Sequence, residues 1–583
     1  MKNWKNSIYS DGSKYFVSNP QPTYGETVTI KLRLYEDAPV VSVFMRSLPN
    51  GAENVVKMDL CDNKNGFNYY QAKMLISESR MQYQFYIACA DKIYYYTQRG
   101  LTDYIQDNSC DFVLLADYRQ PSWVKSQVFY QIFPARFKKS DKNEIGIHEG
   151  DLLGIKEKIP YLKYLGVTAI YLNPIFMAPS DHKYDCSDYF HVDDNFGGDQ
   201  ALAELSDALH QAGMKLMLDI SINHTGSTNR WTVTHPDYYF RDEQTGKFYG
   251  WAGYDSLPTL DYRNHELRRV IYENNDSVIK KWLKPPYSID GWRFDVADVF
   301  ARKDEVQLAH DIWPKLRASI RSENDDAYIL AEDWGDCAQY QQGTEWDSSM
   351  NYFGCARPLR EFAGEVDLFI ARNEELKSIH PYITGENVAG RIREHLSRIP
   401  FAMWQNQFNL IDSHDISRLH NNPEVNPGDY KGTVITQYML IGTPSLYYGD
   451  ELDIQGHLLN DSGCRYPMPW DREDNKPDIF YFYKTLNKLK TSTPALIEGG
   501  MEIIYAQGPV IALARFSDEE AYVSVFSKSD KSETIELEIG LCGFLNIPED
   551  KDIFGNVLSY TRVDEATISM TLNPHTAYLF KVN

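Results

Sequence analysis

The stretch DGWRFDVADVF, Asp290 to Phe300, sets Arg293, Asp295 and Asp298 into an otherwise apolar run. Side chains of a strand alternate between faces, so Arg293 and Asp295 share one face, where the guanidinium favours the ionised carboxylate. For one such motif standing alone, a buried structural ion pair is the favoured explanation. Comparable groups recur along the chain: Asp219, Asn223 and His224 close MKLMLDISINH, Glu332 closes AYILAED, and His414 and Asp415 close FNLIDSHD. Singly these read as an ion pair, a turn cap and a loop start. Together they supply complementary carboxylates, an arginine and two histidines, with no thiol or Ser–His pair among them. That set fits cleavage of a glycosidic bond, which needs one carboxylate as nucleophile or base and a second kept protonated as acid. On this reading Arg293 keeps Asp295 ionised, and neighbouring carboxylates push the pKa of Glu332 up.

Such groups act only if the elements around them bring them to one place. From QVFYQIFPARF onward, short apolar runs alternate with helical ones: LLGIKEKIPYLKYLG then VTAIYLNPIF, QALAELSDALHQAG then MKLMLDISIN, and NHELRRVIYENNDSVIKKWL then DGWRFDVADV. EVQLAHDIWPKLRASIRS leads to AYILAED, a weaker sixth strand falls near SSMNYF, and FNLIDSHD, KGTVITQYML, PSLYYGDEL and IFYFYKTLNKLK follow. Eight strand–helix units predict a closed (β/α)8 barrel, a fold that carries its chemistry at the C-terminal ends of the strands. An open doubly wound sheet would need a phosphate-cradling glycine-rich turn after an early strand, and none is present. The segment before the barrel, residues 1–120, has short β-branched and aromatic runs (TVTIKLRLY, VVSVFMRSL, KIYYYTQRG) between polar turns and reads as a β-sandwich. The barrel then spans 121–494, a small subdomain is inserted after its third strand at about 225–262, and 495–583 reads as a second sandwich.

The balance of 59 Lys plus Arg against 82 Asp plus Glu leaves a net charge of −23, which disfavours nucleic acid and anionic membranes as partners. No apolar run approaches a membrane span, and the N-terminus lacks the apolar centre of a signal peptide. The eight cysteines are scattered without metal-ligand spacing and read as free thiols of a reducing compartment, so the expected location is cytoplasmic.

In order and spacing, LDISINH, GWRFDVADV, AEDW and IDSHD resemble the four signature regions of the α-amylase superfamily of glycoside hydrolases. FYQIFPARF, GVTAIYLNPIF, HKYDCSDYF and GTPSLYYGDEL resemble its other barrel segments, and the N-terminal sandwich is similar to that of the neopullulanase, cyclomaltodextrinase and maltogenic amylase branch. The resemblance covers nearly the whole chain. It implies Asp295 as nucleophile, Glu332 as general acid/base and Asp415 as the third carboxylate. It also implies Arg293, His224 and His414 around the glucose at the cleaved linkage, Tyr184 as a stacking platform beneath it, and Asp461 and Arg465 on the next sugar outward. Trp334, just after the acid, would line an acceptor subsite.

The resemblance further implies a retaining hydrolase of α-1,4-linked maltooligosaccharides that requires no cofactor. A calcium loop of relatives has a faint counterpart at Asp141 and Asn143. Departures from the branch are Val299, four residues after the nucleophile, where a glutamate is usual, SLPTLD in the inserted loop, and a longer segment between Glu332 and His414. A 4-α-glucanotransferase would share every carboxylate, and a non-catalytic carbohydrate-binding protein could share the fold. Relatives with such a sandwich dimerise, so a homodimer with a walled cleft that prefers maltooligosaccharides to starch is the expected assembly.

Overall fold

A computed structural model describes residues 3–142, 146–376, 378–379, 381–457, 463–544 and 549–582. Eight parallel strands form one sheet: Phe129–Ile132, Ala169–Leu172, Lys215–Ile220, Gly291–Phe294, Tyr328–Ala331, Ser348–Ser349, Phe408–Leu410 and Thr443–Tyr447. Each pairs with its neighbour in chain order, the first also with the eighth, and a parallel bridge between Met350 and Phe408 joins the sixth to the seventh. The sheet thus curls into the expected barrel, with the sixth strand reduced to two residues.

Alternation along these strands answers why charged residues sit in an apolar run. Phe129, Ala169, Tyr171, Met217, Tyr328, Leu330, Met350, Phe408 and Leu410 meet in one inner cluster. Trp292, Phe294, Ile170, Leu172, Leu216 and Leu218 belong instead to the layer shared with the helices. One step further along the inner face, toward the C-terminal ends, the series continues as Gln131, Asp219, Arg293, Asp295 and Glu332. The period of two therefore stacks a polar layer directly on an apolar plug.

The helices cover the outer face with the spacing their periodicity demands. In Gly198–Gln211, Ala201, Leu202, Leu205 and Leu209 are buried, and in Ala309–Glu323, Ile312, Trp313, Leu316 and Ile320 are. NHELRRVIYENNDSVIKKWL does not form one helix. It divides into His265–Arg268, a π-turn over Arg269–Glu273 and Val278–Leu283, because the polar run Asn274–Ser277 breaks it. After the fifth strand only a 3-10 turn, Ala338–Tyr340, stands where a helix was expected. The sixth strand is followed by Arg357–Phe362 and Gly385–Ser397, with an irregular segment between them.

Before the barrel, antiparallel strands form two sheets, one of three strands and one of six, around a shared core that includes Ile30, Leu32, Val43, Met45, Phe85 and Ile87. After it, four-stranded and three-stranded sheets pack around Val523, Val525, Leu537 and Met570. All eight cysteines are free. No described helix is long and apolar enough to cross a membrane.

Candidate active site

Arg293 is the hub of the polar layer and has no solvent exposure. Its Nη1 donates to both oxygens of Asp219 at 2.9 and 3.0 Å and to Asp295 Oδ1 at 3.0 Å, while Nη2 lies 2.8 Å from Glu332 Oε2. Asp219 is held further by the hydroxyls of Tyr171 at 2.7 Å and Tyr184 at 2.8 Å. Gln131 Nε2 donates to His414 Nδ1 at 2.8 Å, so the neutral ring carries its proton on Nε2, 2.7 Å from the Tyr184 hydroxyl and 3.0 Å from Asp415 Oδ2. Burial, with Arg465 and Arg293 nearby, holds the His414 pKa well below its usual value, in keeping with that neutral form. Arg465 Nη2 reaches Asp415 Oδ1 at 3.3 Å. Burial and the charge of Glu332 raise the Asp415 pKa to about 6 against the pull of Arg465 and Arg293.

Glu332 and Asp295 form a coupled pair whose resting state differs from the sequence expectation. Burial and the facing Glu332 push Asp295 well above the usual carboxylate range, beyond what Arg293 recovers. Burial also opposes ionisation of Glu332, but Arg293, the Val296 amide, the Trp334 indole and a hydrogen bond from Asp295 together hold its pKa below the ordinary value. Val296 N donates to Glu332 Oε2 at 2.9 Å and Trp334 Nε1 to Oε1 at 3.0 Å. These directions are the reverse of those expected from the sequence, which had Arg293 lowering Asp295 and neighbouring carboxylates raising Glu332. Arg293 reaches both carboxyls, and the extra donors fall on Glu332, which favours ionisation of Glu332 over that of Asp295. Val296 itself has a left-handed backbone (φ 41°), an uncommon and strained conformation for a β-branched residue.

A cavity of about 520 Å³ opens over this layer and is lined by Asp295, Glu332, Asp415, Tyr184, His224, Trp334 and Arg465, among others. His224 is buried, its pKa lowered by that burial to about 3, and its ring stacks on Trp251 at 5.2 Å. Of the ten site residues read from the sequence, nine are thus drawn together; Asp461 lies outside the described residues.

The match to known proteins follows the same stretch of chain. The model described as the alpha amylase catalytic domain matches residues 131–240 and 235–485, and that of the alpha amylase N-terminal ig-like domain matches 16–116. The chain belongs to the α-amylase family. A cyclomaltodextrinase of Thermoanaerobacter pseudethanolicus is 28% identical over 568 residues, 91% of this chain and 92% of that one. An intracellular maltogenic amylase of Bacillus subtilis is 30% identical over 512 residues, 81% of each chain. A solved cyclomaltodextrinase structure superposes with a TM-score of 0.71 at 24% identity, covering 100% of both chains, a likeness of fold.

As a glycoside hydrolase of this family, the chain also carries site residues that its motifs did not single out. Gln131 and Tyr171 orient His414 and Asp219 from the inner barrel face; an inward period-two reading of FYQI and AIYL would have found both. Trp251, Phe369 and Arg372 line the cavity from the two long connections. Trp251 is placed because the inserted loop folds back along the third strand, with Thr225 N on Pro258 O at 3.1 Å and Leu260 N on Asn223 O at 3.0 Å. Asp298, the third charge of the opening stretch, lines the cavity too, its pKa raised to about 6 by burial and by Asp333 and Glu332.

For the calcium loop, Asn143 lies outside the described residues, Asp141 is exposed, and the Gly146 carbonyl is taken by Lys139 Nζ at 2.5 Å. The described residues there do not by themselves make a hard-cation site, which takes six or more oxygens. Asp412, His420 and Asp450 place ligand atoms within 4.8 Å of one another, but Arg360 and Arg418 already pair with those two carboxylates.

Proposed function

We propose that the chain is a retaining hydrolase of α-1,4-glucosidic bonds in maltooligosaccharides, with Asp295 as nucleophile and Glu332 as general acid/base. The observation that carries the reading is the one guanidinium that Asp295 and Glu332 share, Arg293 Nη1 lying 3.0 Å from Asp295 Oδ1 and Nη2 2.8 Å from Glu332 Oε2. Two carboxyls held on adjacent nitrogens of one arginine suit the short spacing of retaining enzymes, about 5–5.5 Å, better than the wider gap that inverting ones leave for a water.

In this reading the pair shares one proton, so catalysis needs no net uptake. With the sugar bound, Glu332 holds that proton and Asp295 is anionic beside Arg293. Asp295 Oδ then bonds to the anomeric carbon as the bond to the leaving oxygen breaks, and Glu332 gives that oxygen the proton. In the second half Glu332 takes a proton from water while the water oxygen attacks the same carbon and Asp295 departs. Asp415, His414, Arg293 and His224 grip hydroxyls of the distorting ring, and Tyr184 lies against its face. Asp461 and Arg465 hold the next sugar on that side.

In this reading the enzyme works in the cytoplasm, supported by its eight free cysteines and by the relative described as intracellular. It works as a homodimer, the exposed Ile93, Tyr104 and Ile105 of the N-terminal domain being suited to a contact.

Parallel incubation with maltotriose, maltohexaose, cyclodextrin, pullulan and starch tests the proposal. Short linear products from the oligosaccharides, faster than from starch, are expected. Early products longer than maltotriose would establish a 4-α-glucanotransferase instead, and no cleavage of any substrate would refute catalysis.

A further inference from the structure

The proposed chemistry gives the cavity a direction. The acid that protonates the leaving oxygen must face the departing sugar, so groups beyond Glu332, away from Asp415 and Tyr184, line the leaving-group side. Trp334 stands there, its indole N–H on Glu332. One face of its ring is covered by Tyr352, at 3.8 Å between centroids and 5° between planes. Phe369 meets it edge-on at 5.8 Å, and the Arg372 guanidinium lies over the ring, 6.0 Å from its centre.

Phe369 and Arg372 belong to the irregular segment that follows Arg357–Phe362, and that segment is firmly held. Arg357 Nε binds Asp367 Oδ2 at 2.8 Å, and Asp367 Oδ1 accepts the amides of Phe369 and Ile370 at 3.0 and 3.2 Å. Leu368 packs against the inner barrel core. Yet Phe369 remains 41% exposed, and among the described residues Arg372 has no hydrogen bond or ion pair, only contacts with the Trp334 and Phe369 rings. Anchored backbone beneath unsatisfied, half-open side chains is what a binding wall requires. An aromatic face and a guanidinium with five donors suit the ring and hydroxyls of a neutral sugar.

Resting on the hydrolase reading, we propose that Phe369 and Arg372 are specificity-determining residues for the leaving-group side. They hold the glucose unit beyond the cleaved bond over the free face of Trp334, and so select oligosaccharides with a sugar at that position. The same wall receives the acceptor sugar when one, rather than water, resolves the intermediate.

The test compares maltotetraose, which fills the leaving-group side with sugar, with α-maltosyl fluoride, which places only a fluoride there. Phe369→Ala and Arg372→Ala are each expected to lower the ratio of kcat/KM for maltotetraose to that for the fluoride by roughly 10-fold or more, the scale of a lost apolar contact for Phe369 and of a lost hydrogen bond to a charged group for Arg372. The loss should fall mainly on KM, with partial recovery in Arg372→Lys. An unchanged ratio in both variants would overturn the inference while leaving the hydrolase reading intact. Failure of the unaltered enzyme to turn over α-maltosyl fluoride would overturn the hydrolase reading itself, and this inference with it.

Discussion

The two sides of the cavity are built in opposite ways. On the side of Asp295 and Asp415, the carboxylates, Arg293 and His414 leave a barrel strand or the residues just after one, and are held by several partners. Asp219 alone receives Arg293, Tyr171 and Tyr184. On the side of Trp334, the lining comes from long connections, presents aromatic faces and leaves Arg372 without a polar partner among the described residues. The first arrangement fixes charges to a fraction of an ångström, as bond-making needs. The second offers adaptable surface, so substrate preference can vary there without disturbing the chemistry.

The comparison breaks most visibly at Asp295. Asp295→Asn should lower kcat on maltotetraose by at least about 10⁴-fold, as loss of a nucleophile does. Its thermal midpoint should stay unchanged, since Arg293 keeps Asp219 and Glu332. Rates paired with a thermal scan check this; a large fall in the midpoint would return Asp295 to the role of a structural ion pair.

Asp219→Asn should do the reverse. It removes the bidentate partner of a fully buried guanidinium and should cost about 3–5 kcal/mol in urea unfolding, whereas the exposed Phe369 and Arg372 should be replaceable within about 0.5 kcal/mol.

This contrast also decides what could be read in the sequence. Asp219, Arg293, Asp295, Glu332, His414 and Asp415 were legible because a strand's alternation and the short step to its C-terminal end fix where they point. Trp251, Phe369 and Arg372 were not, because their positions depend on how the loop after the third strand folds back and on the Arg357–Asp367 pair, long-range contacts without a local period. The extra donors on Glu332 were missed for a similar reason: the Val296 amide and the Trp334 indole reach it through contacts that no motif announces.

A smaller effect sharpens the boundary between the two sides. Trp334→Phe removes the indole donor to Glu332, a bond that favours the ionised carboxylate, so the Glu332 pKa should rise. The Asp295–Glu332 pair delivers its proton through Glu332, so the alkaline limb of kcat/KM, where the pair loses that proton, should move to higher pH. The acid limb, set by Asp415 losing its charge as pH falls through about 6, should stay in place. A pH–rate profile of the variant that shifts its acid limb and not its alkaline one would break this assignment.

The central claim, that Asp295 attacks the anomeric carbon while Glu332, held on the same arginine, serves as acid and base, is tested most directly by the configuration of the first product. Proton NMR during rapid hydrolysis of maltotetraose, before mutarotation, should show new reducing ends appearing as the α anomer, the result of two displacements through a glucosyl–Asp295 ester. The β anomer appearing first would mean a single displacement by water and would contradict the account.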